Sequence, residues 1–185
     1  MEKVNGRNSV LKIVVTGPES TGKTVLCIAL ADHFNTGYVP EYSRKYLQHK
    51  EGKYNREDLT RIAEGQIKSE EEYQLKYKSL LICDTSLEVL RVWSEWKFKT
   101  CDDFIIENAR HRTPDLFLLL TPDLPWQPDP QRENSDDRDE LFAYYQQSLP
   151  EYNTRVVIIS GAGEKRTTNA IQAIEDCLKN NHLIN

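Results

Sequence analysis

Five short apolar runs punctuate an otherwise polar chain. Leu11 to Thr16 is a β-rich run that stops at Gly17, and it reads as a buried strand. Gly37-Tyr38-Val39-Pro40 reads as a second, shorter strand, and Leu80-Leu81-Ile82-Cys83 as a third that closes at Asp84. Leu116 to Leu120 and Val156 to Ile159 complete the set, the last followed by Gly161 and Gly163. Helical patterning fills the intervals. Residues from Lys23 to about Phe34 read as a helix with Val25, Ile28, Ala29 and Ala31 to Asp32 on its apolar side. Tyr42 to Lys78 is charge-rich and helical, broken near Gly52. Leu87 to Trp96 is a further helix, and a last one runs through Ile171, Ile174 and Leu178. Continuous apolar strands that alternate with helices imply an α/β fold, with a parallel five-stranded sheet covered on both faces. The length of 185 residues fits a single domain, residues 1–185. Thr121 to Arg138, rich in Pro, Asp, Asn and Arg, is too polar for core and reads as a lid or a surface loop.

Composition narrows the function classes. A formal net charge of -5 disfavours nucleic acid as a partner, because duplex binders present a basic face. No apolar stretch approaches a membrane span, and the polar Met1 to Ser9 segment lacks a signal peptide's apolar stretch. Cys27, Cys83, Cys101 and Cys177 form no CxxC pair, so a zinc site is not indicated. Reduced thiols in the cytoplasm are the simplest expectation.

Between the first strand and first helix lies Gly17-Pro18-Glu19-Ser20-Thr21-Gly22-Lys23-Thr24, a full match to GxxxxGK[ST]. Glycines allow a tight turn whose N–H groups reach phosphate oxygens, and the helix start that follows adds free donors and a favourable dipole. The expectation is a P-loop that binds ATP through Gly17, Glu19, Ser20, Thr21, Gly22, Lys23, Thr24 and Val25. Lys23 faces the β/γ-phosphates, and the Thr24 hydroxyl is a ligand to Mg²⁺. Asp84, at a strand end, is the expected acidic partner of that Mg²⁺; the alternative is a cap for the helix that follows, shared with Thr85 or Ser86. Glu41 follows the second strand, where open α/β sheets place ligands, and could accept a proton from an attacking hydroxyl or hold a sugar diol. The alternative is an ordinary first-turn glutamate. Arg44 could bridge phosphate or pair with Glu41. Arg132 and Arg138 are candidates for stabilising the charge on a transferred phosphoryl group. Tyr42, Tyr46, Trp93, Trp96 and Trp126 could form an aromatic wall for a flat ring, and a cationic ring would gain by cation–π attraction.

Together, the P-loop, Val39-Pro40-Glu41-Tyr42-Ser43-Arg44, Cys83-Asp84-Thr85 and Pro122-Asp123-Leu124-Pro125-Trp126 resemble the ribosylnicotinamide kinase domain of NadR-type NAD-salvage proteins, AAA-like P-loop kinases. The resemblance implies a nucleoside-kinase-like fold with a lid at about residues 121–138. It implies ATP- and Mg²⁺-dependent phosphorylation of nicotinamide riboside to nicotinamide mononucleotide. Lys23, Glu41, Asp84, Arg132 and Arg138 would then be catalytic, and Glu41, Tyr42, Arg44, Trp93 and Trp126 would contact the nucleoside. The bifunctional relatives also carry an adenylyltransferase domain. None of His33, His49, His111 or His182 lies in an HxGH motif, so the expectation is a stand-alone kinase that does not itself make NAD. A kinase for another nucleoside or small metabolite, and a nucleotide-dependent switch that uses the helical stretch from Asn55 to Lys78 against a partner, are the alternatives.

Overall fold

A computed structural model describes residues 10–48, 50, 53–129, 132 and 135–183, with side chains to 180. Five parallel strands form one sheet: β1 (Leu11–Thr16), β2 (Tyr38–Val39), β3 (Leu80–Asp84), β4 (Leu116–Leu120) and β5 (Arg155–Ile159). Their spatial order is β2-β3-β1-β4-β5, which puts β1 in the middle. Leu11 pairs in register with Leu80 on one side, and Ile13 with Leu116 on the other. The interior strands are buried throughout, as strands covered on both faces must be.

Strand alternation divides the side chains between two cores. Ile13, Val15, Ile82 and Leu118 meet α1 (Lys23–His33) and α7 (Gly163–Leu183) through Leu26, Leu30, Ala170 and Ile174. Val14, Leu81, Cys83 and Phe117 face the other layer: α2 (Tyr42–Gln48), α3 (Arg56–Lys76), α4 (Leu87–Phe98), α5 (Asp103–His111) and α6 (Arg138–Ser148), with a 3-10 turn at Leu149–Tyr152. Local signals define several helix starts. Asn55 and Asp58 form a reciprocal capping box at α3, and the Asp102 carboxylate accepts from the Phe104 N–H at α5.

Three expectations need correction. In α1 the buried side is Leu26, Cys27, Leu30 and Ala31, whereas Val25 and Ile28 are 73% and 45% exposed. Apolar residues lie all round this helix, so periodicity could not select the buried face. Helices α5 and α6 were not anticipated. Arg138, taken as the end of the lid, is the first residue of α6. Gly52, and positions 130, 131, 133 and 134 of the lid, lie outside the described residues. Among the described residues, no helix is long and apolar enough to cross a membrane.

Candidate active site

Parallel strands bring all five C-terminal ends to one edge, where an open α/β sheet binds ligands. Gly17, Glu41, Asp84, Thr121 and Gly161 all emerge there. The P-loop turns sharply as it leaves β1. Gly17 has φ +131°, and a Cβ on it would lie 2.7 Å from the Leu120 carbonyl oxygen, so only glycine lets β1 and β4 exit side by side. Gly22 is the N-cap of α1 in left-handed geometry, with no side-chain cap and no acidic residue in the first turn. The first N–H groups of α1 are thus left for an anion.

Lys23 curls back over the loop and donates to the carbonyls of Gly17 (2.9 Å) and Pro18 (2.8 Å). Burial lowers its ammonium below the usual lysine range, opposed by Glu41 and Asp84. Thr24 Oγ1 donates to Asp84 Oδ2 at 2.5 Å. Burial, and then the Glu41 carboxylate, push the Asp84 carboxyl up to about 6, against the Thr24 hydrogen bond and Lys23. Its other oxygen, Oδ1, is buried without a hydrogen-bond partner. An orphaned carboxylate oxygen beside the P-loop hydroxyl suits a hard cation that takes its remaining ligands from phosphates and water. Among the described residues no group of three or more His, Cys, Asp or Glu could hold a metal alone. The cap alternative places Ser86, not Asp84, at the α4 N-cap, and Ser86 makes no side-chain cap bond.

Glu41 accepts from Ser43 Oγ at 2.6 Å and pairs with Arg44 Nε at 3.5 Å. Arg44 reaches across to Asp129 at 3.2 Å, which links α2 to the segment after β4. That segment lies over the P-loop: Ser20 Oγ accepts from the Gln127 N–H at 2.8 Å, and Arg132 donates to the Gln127 carbonyl at 2.5 Å.

One cavity of about 370 Å³ joins these groups. It is lined by the P-loop from Gly17 to Val25, by Glu41, Arg44 and Arg132, and by Leu47, Thr85, Val89, Trp93, Leu141 and Tyr145. Asp84 lies beneath Thr24 rather than on the cavity surface. The structure brings Trp93 to the cavity but not Tyr42, Tyr46, Trp96, Trp126 or Arg138. Tyr42 packs over Gly65 of α3, where an added Cβ would meet its ring at 2.1 Å. Trp126 lies against Arg138, with the guanidinium 5.9 Å from its ring centroid. Arg138 donates to the carbonyls of Leu124 (2.9 Å), Pro122 (3.1 Å) and Ser20 (3.4 Å). These bonds make Arg138 a brace for the backbone rather than a free cation for a phosphoryl group.

The glycine turn after the fifth strand, with Lys165 and Arg166, was only a weak sequence signal for the base end of the site, and Leu141 and Tyr145 were missed. Arg166, only 4% exposed, donates to the carbonyls of Gly161 (2.6 Å), Thr121 (3.2 Å) and Thr21, and to the Asp123 carboxylate. It ties the ends of β4 and β5 to the P-loop, and it lines the cavity with Gly163 and Thr167. The Gly161-x-Gly163 turn was the only local hint. Leu141 and Tyr145 belong to α6, whose existence was not foreseen.

The sequence pattern of a family described as AAA domain matches residues 12–166. The chain belongs to this AAA domain family. Among solved structures it is similar to a NadR protein in complex with NR, at 23% identity and TM-score 0.78, covering 90% of this chain and 50% of that one. A NadR protein with NAD and AMP-PNP gives 24% identity and TM-score 0.71, covering 90% and 49%. Deoxyadenosine kinase from M. mycoides with bound dATP gives 9% identity and TM-score 0.57, covering 89% and 99%. The chain spans about half the length of the NadR proteins it matches. No curated protein matches it. The shared architecture is that of P-loop kinases.

Proposed function

We propose that the protein transfers the γ-phosphoryl group of ATP to the 5′-hydroxyl of nicotinamide riboside, giving nicotinamide mononucleotide and ADP. The observation that carries this reading is one cavity lined both by Lys23, Thr24 and Glu41 and by apolar and aromatic side chains that include Trp93 and Tyr145. Its volume falls in the range of small-molecule sites, and it has both parts a kinase needs, a phosphate cradle and an acceptor compartment. A switch needs only the first. The helix such a switch would offer a partner, α3, buries Leu59, Ile62 and Ala63 in the core. The NadR likeness supports the choice of nucleoside, since one of those structures holds NR and another AMP-PNP.

On this reading the α1 amides and Lys23 hold the triphosphate, with Gly163, Arg166 and Thr167 at the end where the base would lie. Thr24 and Asp84 would hold Mg²⁺, which neutralises charge on the phosphates. Glu41 is placed to accept the proton of the attacking hydroxyl. The nicotinamide ring, flat and positively charged, lies against Trp93. The segment after β4, whose Gln127 and Arg132 lie against Ser20 of the P-loop, acts as the lid, and Arg132 stabilises charge on the moving group. Work in the cytoplasm, beside its substrates, fits this chemistry. Calorimetric titration of nicotinamide riboside, with Mg²⁺ and a non-hydrolysable ATP analogue present, tests the acceptor site. Saturable binding that weakens at least about tenfold in Trp93→Ala is expected; equal binding in the two proteins would move the ring elsewhere.

A further inference from the structure

Thr16 is the last residue of β1, fully buried and adjacent to Gly17. Strand alternation places Lys12, Val14 and Thr16 on one face of the sheet, toward α3, α4 and α6. At the far end of this line, Lys12 Nζ meets Glu70 Oε2 at 2.6 Å and Ser86 Oγ at 3.2 Å. Glu88, on the first turn of α4, is 4% exposed and faces both Lys12 and Thr16. One lysine thus faces two glutamates, and Glu70 holds the direct contact. Glu88 Oε1 is buried with no hydrogen-bond partner of good geometry, and so is Thr16 Oγ1. The Thr16 hydroxyl is also a neighbour of Tyr145, which lines the cavity.

Buried polar atoms are nearly always satisfied, so two neighbouring exceptions behind a binding wall call for a reason. Glu88 also cannot readily be a charged carboxylate there. Burial pushes it up to about 7, with Glu70 adding to the effect against Lys12 and Thr16. A protonated carboxyl can donate to Thr16 Oγ1, leaving that oxygen to orient the Tyr145 hydroxyl. No part of the phosphate chemistry uses Glu88.

We propose that Glu88 is a positioning residue for the acceptor compartment: through the Thr16 hydroxyl it fixes the orientation of Tyr145, and so the fit of the nucleoside's ring. This rests on the kinase reading but not on which nucleoside is the acceptor. The test uses the intact chain and whichever member of a nucleoside panel, nicotinamide riboside included, the wild-type protein phosphorylates best. Glu88→Leu, Thr16→Val and Tyr145→Phe should each raise KM for that acceptor by about three- to tenfold, with kcat and the KM for ATP within about twofold. Glu88→Gln keeps the shape and a donor to Thr16, and should restore the wild-type KM. Glu88→Leu combined with Tyr145→Phe should be no worse than either alone, because the two act through one chain. If Glu88→Leu does not fold, the Thr16→Val and Tyr145→Phe pair gives the same cycle. Additive losses, an equal rise in KM for ATP, or a lower melting temperature with unchanged acceptor KM would overturn the positioning role while leaving the kinase reading intact. Phosphorylation of no nucleoside by the wild-type protein would overturn the kinase reading, and the positioning role with it.

Discussion

Asp84→Asn should make the protein more stable and less active. The Asp84 side chain is buried, and its carboxyl is pushed up to about 6 by burial and by Glu41. In the unfolded chain it titrates near 4. A group with a raised folded pKa weakens folding as pH climbs from the unfolded value to the folded one, because the unfolded state then releases the proton more readily. Moving a carboxyl from about 4 to about 6 corresponds to about 3 kcal/mol of lost stability, fully present above pH 6 and absent below pH 4. Asparagine removes the ionisation yet still accepts the Thr24 hydrogen bond. Urea unfolding of both proteins at pH 4 and pH 8 isolates the effect, because other carboxyls contribute equally to each. The variant's advantage should be about 2 kcal/mol larger at pH 8 than at pH 4, or roughly 4–8 °C in melting temperature for a chain of this size. Phosphoryl transfer should fall at least about a hundredfold, since a neutral amide cannot match an anionic cation ligand. An advantage of the same size at both pH values would refute the reasoning.

Three further substitutions separate the roles assigned above. Lys23→Ala should abolish transfer by removing the charge at the β/γ-phosphates, and wild-type turnover in that variant would rule out the P-loop's part. Arg132→Ala should lower kcat more than it raises KM and leave the melting temperature unchanged, whereas Arg138→Ala should cost about 2 kcal/mol in urea unfolding, because its guanidinium holds three backbone carbonyls; the reverse pattern would exchange their roles. Gly17→Ala should destabilise by at least about 2 kcal/mol, since both φ and the Leu120 carbonyl oppose a Cβ, and unchanged urea unfolding would show that the two strand exits can part.

The strands and the P-loop were legible because their signals are local. Leu11–Thr16 and Leu116–Leu120 are continuous apolar runs with sharp ends, and a GxxxxGK[ST] match between a strand and a helix carries its own context. The apolar wall of the cavity was legible only in part. Tyr145 and Leu141 reach it from α6, which follows a Pro- and Asp-rich stretch that hides the helix start, whereas Trp93, on the anticipated helix α4, was the part of this wall that could be read. Arg138 and Arg132 look alike in sequence. Both bond backbone carbonyls, and what divides them is that Arg138 holds three of them and does not line the cavity, while Arg132 lines it. Trp126 and Tyr42 illustrate the same ambiguity, since a large aromatic in a polar stretch can serve a ligand or a neighbouring guanidinium or glycine. Arg166 showed in sequence only as part of a weak glycine-turn signal, because its partners at Thr21, Thr121 and Asp123 are distant along the chain.

The most direct test of the central claim is Mg²⁺-dependent ADP release from ATP with nicotinamide riboside, with a panel of ordinary nucleosides, and with no acceptor, each reaction followed by mass spectrometry. A nicotinamide riboside kinase gives strong stimulation by nicotinamide riboside, with nicotinamide mononucleotide formed in step with ADP. Equal slow release in every mixture, with no phosphorylated nucleoside, would contradict the kinase reading.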